Sequence, residues 1–210
     1  DKEALLVNFV QYGIDLWGIV RAGHPGWPAH GGHGSGRKWP IVFAGILLGD
    51  DDMQSPKATR PGVCFGEDMQ TMYGKGWTGA RALYAGHIGA DGEKYQKGWG
   101  AYEHLPPAQW PSMLGEDYRR CCTSVAWVGQ ALAARILHAE KAWNHGAFFD
   151  YVDRWMEEDD TEAVQAIKRA TGHDYSSSWA RQGQAWDPFV NQMWAKYRHH
   201  LPPARNVGVP

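Results

Sequence analysis

One segment of this chain is apolar on every side, and it limits the possible folds more than any other feature. No charged residue occurs between Pro40 and Leu48, and most side chains there are large and apolar. Proline is well suited to the first turn of a helix. A helix without a polar face belongs in the middle of a layered structure. We therefore predict a buried helix over residues 40–48, with other helices packed around it.

Several other segments repeat apolar residues every three or four positions, which is the period of a helix. Capping residues support three of them: Asn144, Asp160 and Asp187 each stand before a periodic segment. Thr123 or Ser124 is a reasonable cap for a fourth. The helices are predicted at about 3–21, 78–85, 123–136, 144–155, 161–171 and 188–197. No segment alternates convincingly as a strand, so the predicted class is all-α.

The connections between these helices are long and rich in glycine and tryptophan, above all at 86–117. Long irregular segments of this kind in a compact domain are usually either functional or a sign that a regular element has been overlooked. Paired helices with such loops predict helical hairpins in a partial or complete (α/α) toroid, with the loops forming a cleft at one end. An irregular helix bundle is the alternative, because periodicity does not decide between them. Residues 1–210 would form one all-α domain, either whole or part of a longer chain.

Composition excludes some functions. The formal net charge is −2 and no basic stripe is present, so nucleic acid is not expected as a partner. No run of about 18 apolar residues exists, so no transmembrane span is expected. Cys121 and Cys122 are adjacent and Cys64 is distant. For the adjacent pair, small buried thiols are preferred over a strained vicinal disulfide.

The loop at 23–40 is the first candidate site, because glycines and prolines frame a concentration of ionisable and aromatic side chains. Each of these residues could also be purely structural. A metal at His24, His30 and His33 is a minority hypothesis, since nothing fixes their spacing on a helix face. No cofactor is therefore expected, and acid–base chemistry is the preferred use of the histidines.

Candidate residues for this chemistry fall into two groups. Proton donors and acceptors are predicted at His30, His33, Tyr118 and Glu67. Groups that would hold a substrate carboxylate, hydroxyl or sugar ring are predicted at Trp27, Arg37, Trp39, Arg119, Asn144 and His145.

Three strings carry a resemblance to a known group of proteins: 34–40 (GSGRKWP), 118–122 (YRRCC) and 143–151 (WNHGAFFDY). They resemble segments of bacterial carbohydrate-active proteins built on (α/α) toroids, including alginate-lyase-like and heparinase-like polysaccharide lyases. The resemblance extends over most of the chain, although such toroids usually need a longer one.

The resemblance implies β-elimination on a uronate-containing polysaccharide, with His30, His33 and Tyr118 in acid–base roles. Arg37, Arg119, Asn144 and His145 would hold the carboxylate and hydroxyls. It also implies an acidic polysaccharide as partner and a secreted or periplasmic location. The remainder of a larger chain or a second copy would be the protein partner. Two alternatives stay open: a glycoside hydrolase using Glu67, Asp68 or Glu116, and a non-catalytic glycan-binding or assembly module.

Overall fold

The computed structural model describes residues 1–30, 34–87, 99–177 and 180–200. Helices account for 60% of the structure and strands for 5%, which confirms the predicted all-α class. Within the described ranges, no helix is both long enough and apolar enough to cross a membrane.

The described residues form eleven α-helices and four short strands. The helices are α1 (Lys2–Arg21), α2 (Lys38–Leu48), α3 (Asp51–Gln54), α4 (Pro56–Thr59), α5 (Gly66–Met69), α6 (Leu114–Tyr118), α7 (Ser124–Ile136), α8 (Glu140–Trp143), α9 (Gly146–Glu157), α10 (Thr161–Thr171) and α11 (Pro188–Tyr197). The strands are β1 (Gly26–Trp27), β2 (Cys64–Phe65), β3 (Thr71–Tyr73) and β4 (Ala82–Tyr84). Turns of 3₁₀-helix occupy Pro107–Gln109 and Arg198–His200, and a π-helical turn occupies Arg119–Thr123.

Helix α1 packs closely on α2, as the apolar segment predicted. A Cβ atom on Gly13 would lie 2.2 Å from the carbonyl oxygen of Pro40, so glycine is required for this approach. Trp17 and Val20 of α1 form a buried cluster with Ile41 of α2. The last residues of α2 are not buried, because Leu47 and Leu48 are exposed.

A second, larger core lies between α7 and α9. Trp127, Trp143 and Trp155 are all fully buried there. Trp143 stacks on Phe148, with ring centroids 4.7 Å apart and an interplanar angle of 2°. Much of the tryptophan content therefore serves packing, which is a large source of buried apolar area.

The predicted helix at 78–85 is wrong, because this segment forms half of a β-hairpin. Strands β3 and β4 pair antiparallel, with Thr71 opposite Tyr84. Gly79 has a φ of +91° in the turn, a conformation that is unfavourable for other residues and interrupts a helix. Strands β1 and β2 pair in parallel, with Gly26 opposite Cys64.

The cysteine prediction is also wrong, because Cys121 and Cys122 form a disulfide with each other. Both lie inside the π-helical turn, where the regular α-helical hydrogen-bond pattern is interrupted.

Of the predicted helix caps, only Asp187 acts as one: its carboxylate accepts from the N–H of Phe189. Asn144 has a φ of +57° and ends α8, so it does not cap α9. The Asp160 carboxylate instead accepts a hydrogen bond from Arg120, at 2.6 Å. Thr123 makes no capping bond, because α7 continues directly from the π-helical turn.

Candidate functional site

Three of the clusters that polar side chains form in the interior are important for the site. The histidine site comprises His30, Gln70, Tyr84, His87, Trp99 and Tyr118. The lysine cluster comprises Lys38, Lys57, Glu67, Asp68, Trp143 and His145. The ionic ladder comprises Glu103, Glu116, Arg119, Arg120, Arg154 and Asp160.

Four aromatic rings converge at the histidine site. The His87 ring lies 4.4 Å from the Tyr118 ring and 4.6 Å from the Trp99 ring, centroid to centroid. On another side, the exposed His30 ring lies 6.4 Å from it. Four segments of the chain that are distant in sequence therefore meet around one imidazole.

The β-hairpin places the donors that fix the His87 ring. Because the Ala85 N–H donates to the Gln70 carbonyl at 2.8 Å, the end of α5 is held beside the segment after β4. Gln70 Nε2 then lies 3.2 Å from His87 Nδ1, and the Tyr84 hydroxyl lies 3.0 Å from the same atom. An amide nitrogen can only donate, so Nδ1 accepts and the ring proton is on Nε2.

This imidazole is neutral near pH 7. Burial lowers the pKa of His87 to about 4, and the nearby His30 lowers it further in the same direction. Desolvation disfavours the charged form, which explains the direction. His87 therefore presents a neutral Nε2–H donor and not a cation.

Two N–H donors at this site lack partners. Neither His87 Nε2 nor Trp99 Nε1 makes a hydrogen bond to any described residue, although both atoms are buried. An unsatisfied buried donor costs about 1–3 kcal/mol. Unexplained donors of this kind commonly mark a place where a ligand supplies the acceptor.

In the lysine cluster, in contrast, Lys38, Glu67 and Asp68 are buried, and Lys57 and His145 are partly exposed. Lys38 Nζ lies 2.5 Å from Asp68 Oδ2, and Trp143 Nε1 donates to the other oxygen of Asp68 at 2.9 Å. Burial lowers the pKa of Lys38 to about 8, although the Asp68 charge acts in the opposite direction. His145 Nε2 lies 3.0 Å from the Thr71 hydroxyl, which joins this histidine to the same region.

Glu67 is the least satisfied carboxyl group in the described structure. Its side chain is 0% exposed, and neither of its oxygens has a hydrogen-bond partner among the described residues. Burial, followed by repulsion from Asp68, raises the pKa of Glu67 to about 7. The group has the pKa of a general acid but no route to solvent.

The ionic ladder alternates carboxylates and guanidinium groups through the interior. Arg154 Nη2 lies 2.7 Å from Glu103, and Arg120 Nη1 lies 2.6 Å from Asp160. Glu116 accepts from both Arg119 and Arg120, at 2.9 Å and 2.5 Å. Burial opposes the ionised form, but the two arginines hold the pKa of Glu116 well below its usual range.

A cavity of about 780 Å³ lies against this ladder. Trp77 and Trp110 contribute to its wall, with their ring centroids 6.4 Å apart. Both rings pack against the buried cluster that includes Val164 and Ile167 of α10, and α10 and the end of α9 also line the cavity.

The structure brings two predicted catalytic residues together, His30 and Tyr118, and it places Glu67 in the lysine cluster. His33 lies outside the described residues. The predicted substrate-binding residues are dispersed: Trp39 is in the core, Arg119 in the ladder, Asn144 at the end of α8 and His145 beside Thr71.

The other two predicted substrate-binding residues, Trp27 and Arg37, lie within the loop at 23–40. Trp27 packs between His24 and Phe65, and Arg37 Nη1 donates to the carbonyl of Ser35 at 2.7 Å. Among the described residues, no three potential ligands are grouped to hold a metal ion.

Sequence reasoning missed His87, which is the centre of the histidine site. One signal was available: Gly86 precedes it, with a φ of +82°, and a Cβ atom there would lie 2.3 Å from the carbonyl oxygen of Trp99. A glycine beside a histidine in an irregular segment is a weak pattern, however, and the partners Gln70 and Tyr84 are visible only in three dimensions.

Comparison with family models, curated proteins and solved structures gave no match to this chain. The geometry of the clusters is therefore the basis for a functional assignment.

Proposed function

We propose that this protein is a carbohydrate-active enzyme, a polysaccharide lyase that cleaves a glycosidic bond by β-elimination at a uronate residue. One observation carries the proposal: the rings of His87 and Trp99, whose N–H groups have no partner among the described residues, both lie beside Tyr118, and the His30 ring lies 6.4 Å from that of His87. Two neutral donors in a water-poor site are suited to a carboxylate, and acid–base groups stand next to them.

The donors would act on the charge that develops during the reaction. Removal of the C5 proton leaves an electron pair that delocalises into the adjacent carboxylate, so negative charge grows on its oxygens. Preorganised N–H groups that face such oxygens stabilise the transition state more than the ground state. Because His87 is fixed by Gln70 and Tyr84, its donor needs no reorganisation when the charge appears.

His30 and Tyr118 are assigned the proton transfers. The exposed His30 imidazole would accept the C5 proton, since a neutral histidine is a suitable base near neutral pH. The electron pair then forms the C4–C5 double bond as the C4–O bond breaks. The Tyr118 hydroxyl would give its proton to the leaving oxygen. His33 stays a second candidate base.

Hydrolysis has less support from the same structure. Two of the carboxylates predicted for that role are buried in ion pairs: Asp68 with Lys38, and Glu116 with Arg119 and Arg120. The low pKa of Glu116 is opposite to what a general acid requires. Glu67 has a suitable pKa, but it is 0% exposed.

The proposal includes the toroid architecture, as a portion of one. Its support is the pairwise packing of α1 with α2 and of α7 with α9, each around its own apolar core. The exposed Leu5 and Val7 on α1 would then be covered by further helices of the toroid or by a second copy. An acidic polysaccharide as substrate and a secreted or periplasmic location belong to the same proposal.

The test is an elimination assay on a panel of acidic polysaccharides, following the ultraviolet absorbance of the unsaturated uronate product. Tyr118→Phe keeps the ring against His87 and removes only the hydroxyl. We expect it to lower kcat by about 10²–10⁴-fold, the range for a lost general acid or base. Tyr12→Phe, which removes an exposed hydroxyl on α1, is the matched control and should retain full activity.

Three other outcomes would decide against the proposal. Reducing ends without an unsaturated product would indicate a hydrolase. Binding without any cleavage would indicate a glycan-binding module. Elimination that Tyr118→Phe leaves unchanged would show that the chemistry lies elsewhere in the molecule.

A further inference from the structure

The cavity beside the ionic ladder is separate from the histidine site and has no role in the elimination step. It is lined by the loop around Thr78 and Gly79, by Trp110 and by helix α10, whereas His87 and Tyr118 are not part of its wall. Its volume of about 780 Å³ is within the range of small-molecule sites.

The floor of the cavity is unusually polar for a buried surface. Desolvating ion pairs is costly, and apolar residues of similar size often give equal or greater stability. Two ladder donors, Arg120 Nη2 and Arg154 Nε, are buried and make no hydrogen bond to any of the described residues. The Arg120 side chain is 0% exposed, and its other guanidinium nitrogens contact Glu116, Asp160 and the carbonyl of Ala180.

Two aromatic rings belong to the same lining as these charges. Trp77 and Trp110 are both half-buried and meet at 71°, so part of each ring remains accessible. Trp110 Nε1 already donates to the carbonyl of Leu105 at 2.8 Å, which fixes its ring. An aromatic face next to hydrogen-bonding groups suits a ligand that is apolar on one face and carries hydroxyls at its edge.

The charges of the lining argue that this ligand is uncharged. Six carboxylates and four arginines line the cavity, which gives a net charge of −2. An anionic sugar would meet the carboxylates at the rim, including Glu158 and Glu162. A cation would meet the arginines of the floor. Hydroxyl groups, in contrast, can both donate to carboxylates and accept from guanidinium groups.

We infer that this cavity is a binding site for an uncharged saccharide, which stacks on Trp77 and hydrogen-bonds to the charged side chains that line it. The site is distinct from the proposed elimination site. If the protein is a lyase, the cavity would hold a neutral part of the glycan while elimination occurs at the histidine site. If it is not a lyase, the cavity would still bind the uncharged saccharide.

Isothermal titration calorimetry on the whole chain tests this inference. The probes are cello-, xylo-, manno- and laminaritetraose as uncharged ligands and tetragalacturonate as the charged comparison. We expect the Tyr118→Phe variant to bind at least one uncharged probe at least about tenfold more tightly than it binds tetragalacturonate. We also expect Trp77→Ala to weaken the binding of that uncharged probe by about tenfold or more, a factor that corresponds to 1.4 kcal/mol. Trp186→Ala, which removes an exposed tryptophan outside the cavity, is the control and should leave binding unchanged.

A second pair of variants covers the case in which Trp77→Ala does not fold. Ala166→Trp places a large ring into the cavity from α10, whereas Ala170→Trp places the same ring on the exposed face of that helix. Loss of binding in the first variant alone supports the site. Equal binding in both variants would overturn it, as would failure of every uncharged probe to bind the folded wild type.

The two proposals fail independently. Because Tyr118→Phe leaves the cavity intact, an uncharged saccharide should bind to this variant as it does to the wild type. Elimination activity without cavity binding would overturn only the present inference, and cavity binding without elimination would overturn only the lyase.

Discussion

In the ionic ladder, the Glu116 carboxylate accepts four hydrogen bonds, from Arg119, Arg120 and Tyr102. In the histidine site, the N–H groups of His87 and Trp99 have no partner among the described residues. Both regions are largely buried, so the cost of desolvation applies to both. The ladder offsets most of that cost internally, although Arg120 Nη2 and Arg154 Nε have no hydrogen-bond partner among the described residues, whereas the histidine site leaves the cost for a ligand to offset.

The difference separates two uses of buried polarity. A closed network stabilises one arrangement of the elements that carry it, here α6, the π-helical turn, α9 and the loop before α10. An open donor pair contributes nothing to folding and is retained at a cost. The lysine cluster contains both kinds of buried polar group, since both oxygens of Asp68 have partners and the adjacent Glu67 carboxyl has none among the described residues.

The largest effect is expected from breaking the ladder. Glu116→Ala leaves Arg119 and Arg120 buried without their shared carboxylate, so the free energy of unfolding should fall by about 3–5 kcal/mol. Urea denaturation measures this. Asp174→Ala is the control, because its ion pair with Lys168 is exposed on both sides, and its stability should be almost unchanged. Equal effects of the two variants would show that the ladder does not stabilise the fold.

A smaller effect, of opposite sign, is expected at Glu67. Its pKa in the folded state is about 7 and its ordinary value is 4.5, so the folded state binds this proton more tightly. Ionisation therefore destabilises the fold as the pH rises from about 4.5 to about 7. Glu67→Gln should raise the free energy of unfolding by about 3 kcal/mol at pH 8, with little change at pH 4.

Denaturation curves of Glu67→Gln at the two pH values measure this difference, with Glu162→Gln on the exposed face of α10 as the control. A pH-independent effect would mean that Glu67 does not change its charge within this range.

The smallest effect on stability is expected in the histidine site. Trp99→Phe removes an unpartnered N–H, so the unfolding free energy should change by less than about 1 kcal/mol. Trp155→Phe removes a donor that is bonded to the Gln184 carbonyl at 2.8 Å and should cost more. Trp99→Phe should also weaken the binding of an oligouronate. A large loss of stability in Trp99→Phe, equal to that of Trp155→Phe, would mean that the Trp99 N–H is not an open donor.

Helix positions were largely accessible from the sequence, because apolar spacing reports burial on one side. The predicted helices at 3–21, 161–171 and 188–197 agree closely with α1, α10 and α11. The hairpin at Thr71–Tyr84 was not accessible, since its strands are only three residues long and show no alternation over enough positions. Tertiary pairing decided that segment.

The candidate site divides in the same way. His30 and Tyr118 were predicted as acid–base groups, and the structure brings both against one imidazole. The role of Arg119 in holding a carboxylate was also predicted, but the carboxylate it contacts is the protein's own Glu116. Sequence identifies which residue types are available, and it does not show whether each is already satisfied by a neighbour.

The sequence by itself determined the all-α class, the main helices and the burial of the first part of the apolar segment at 40–48. These follow from periodicity and composition, which act along the chain. Only the tertiary structure decided which polar groups are paired and which are open, because Lys38 and Trp143 contact Asp68, and Asp160 contacts Arg120, from segments distant in sequence. Whether a buried group is ready for a ligand depends on those partners, and so does the function proposed here.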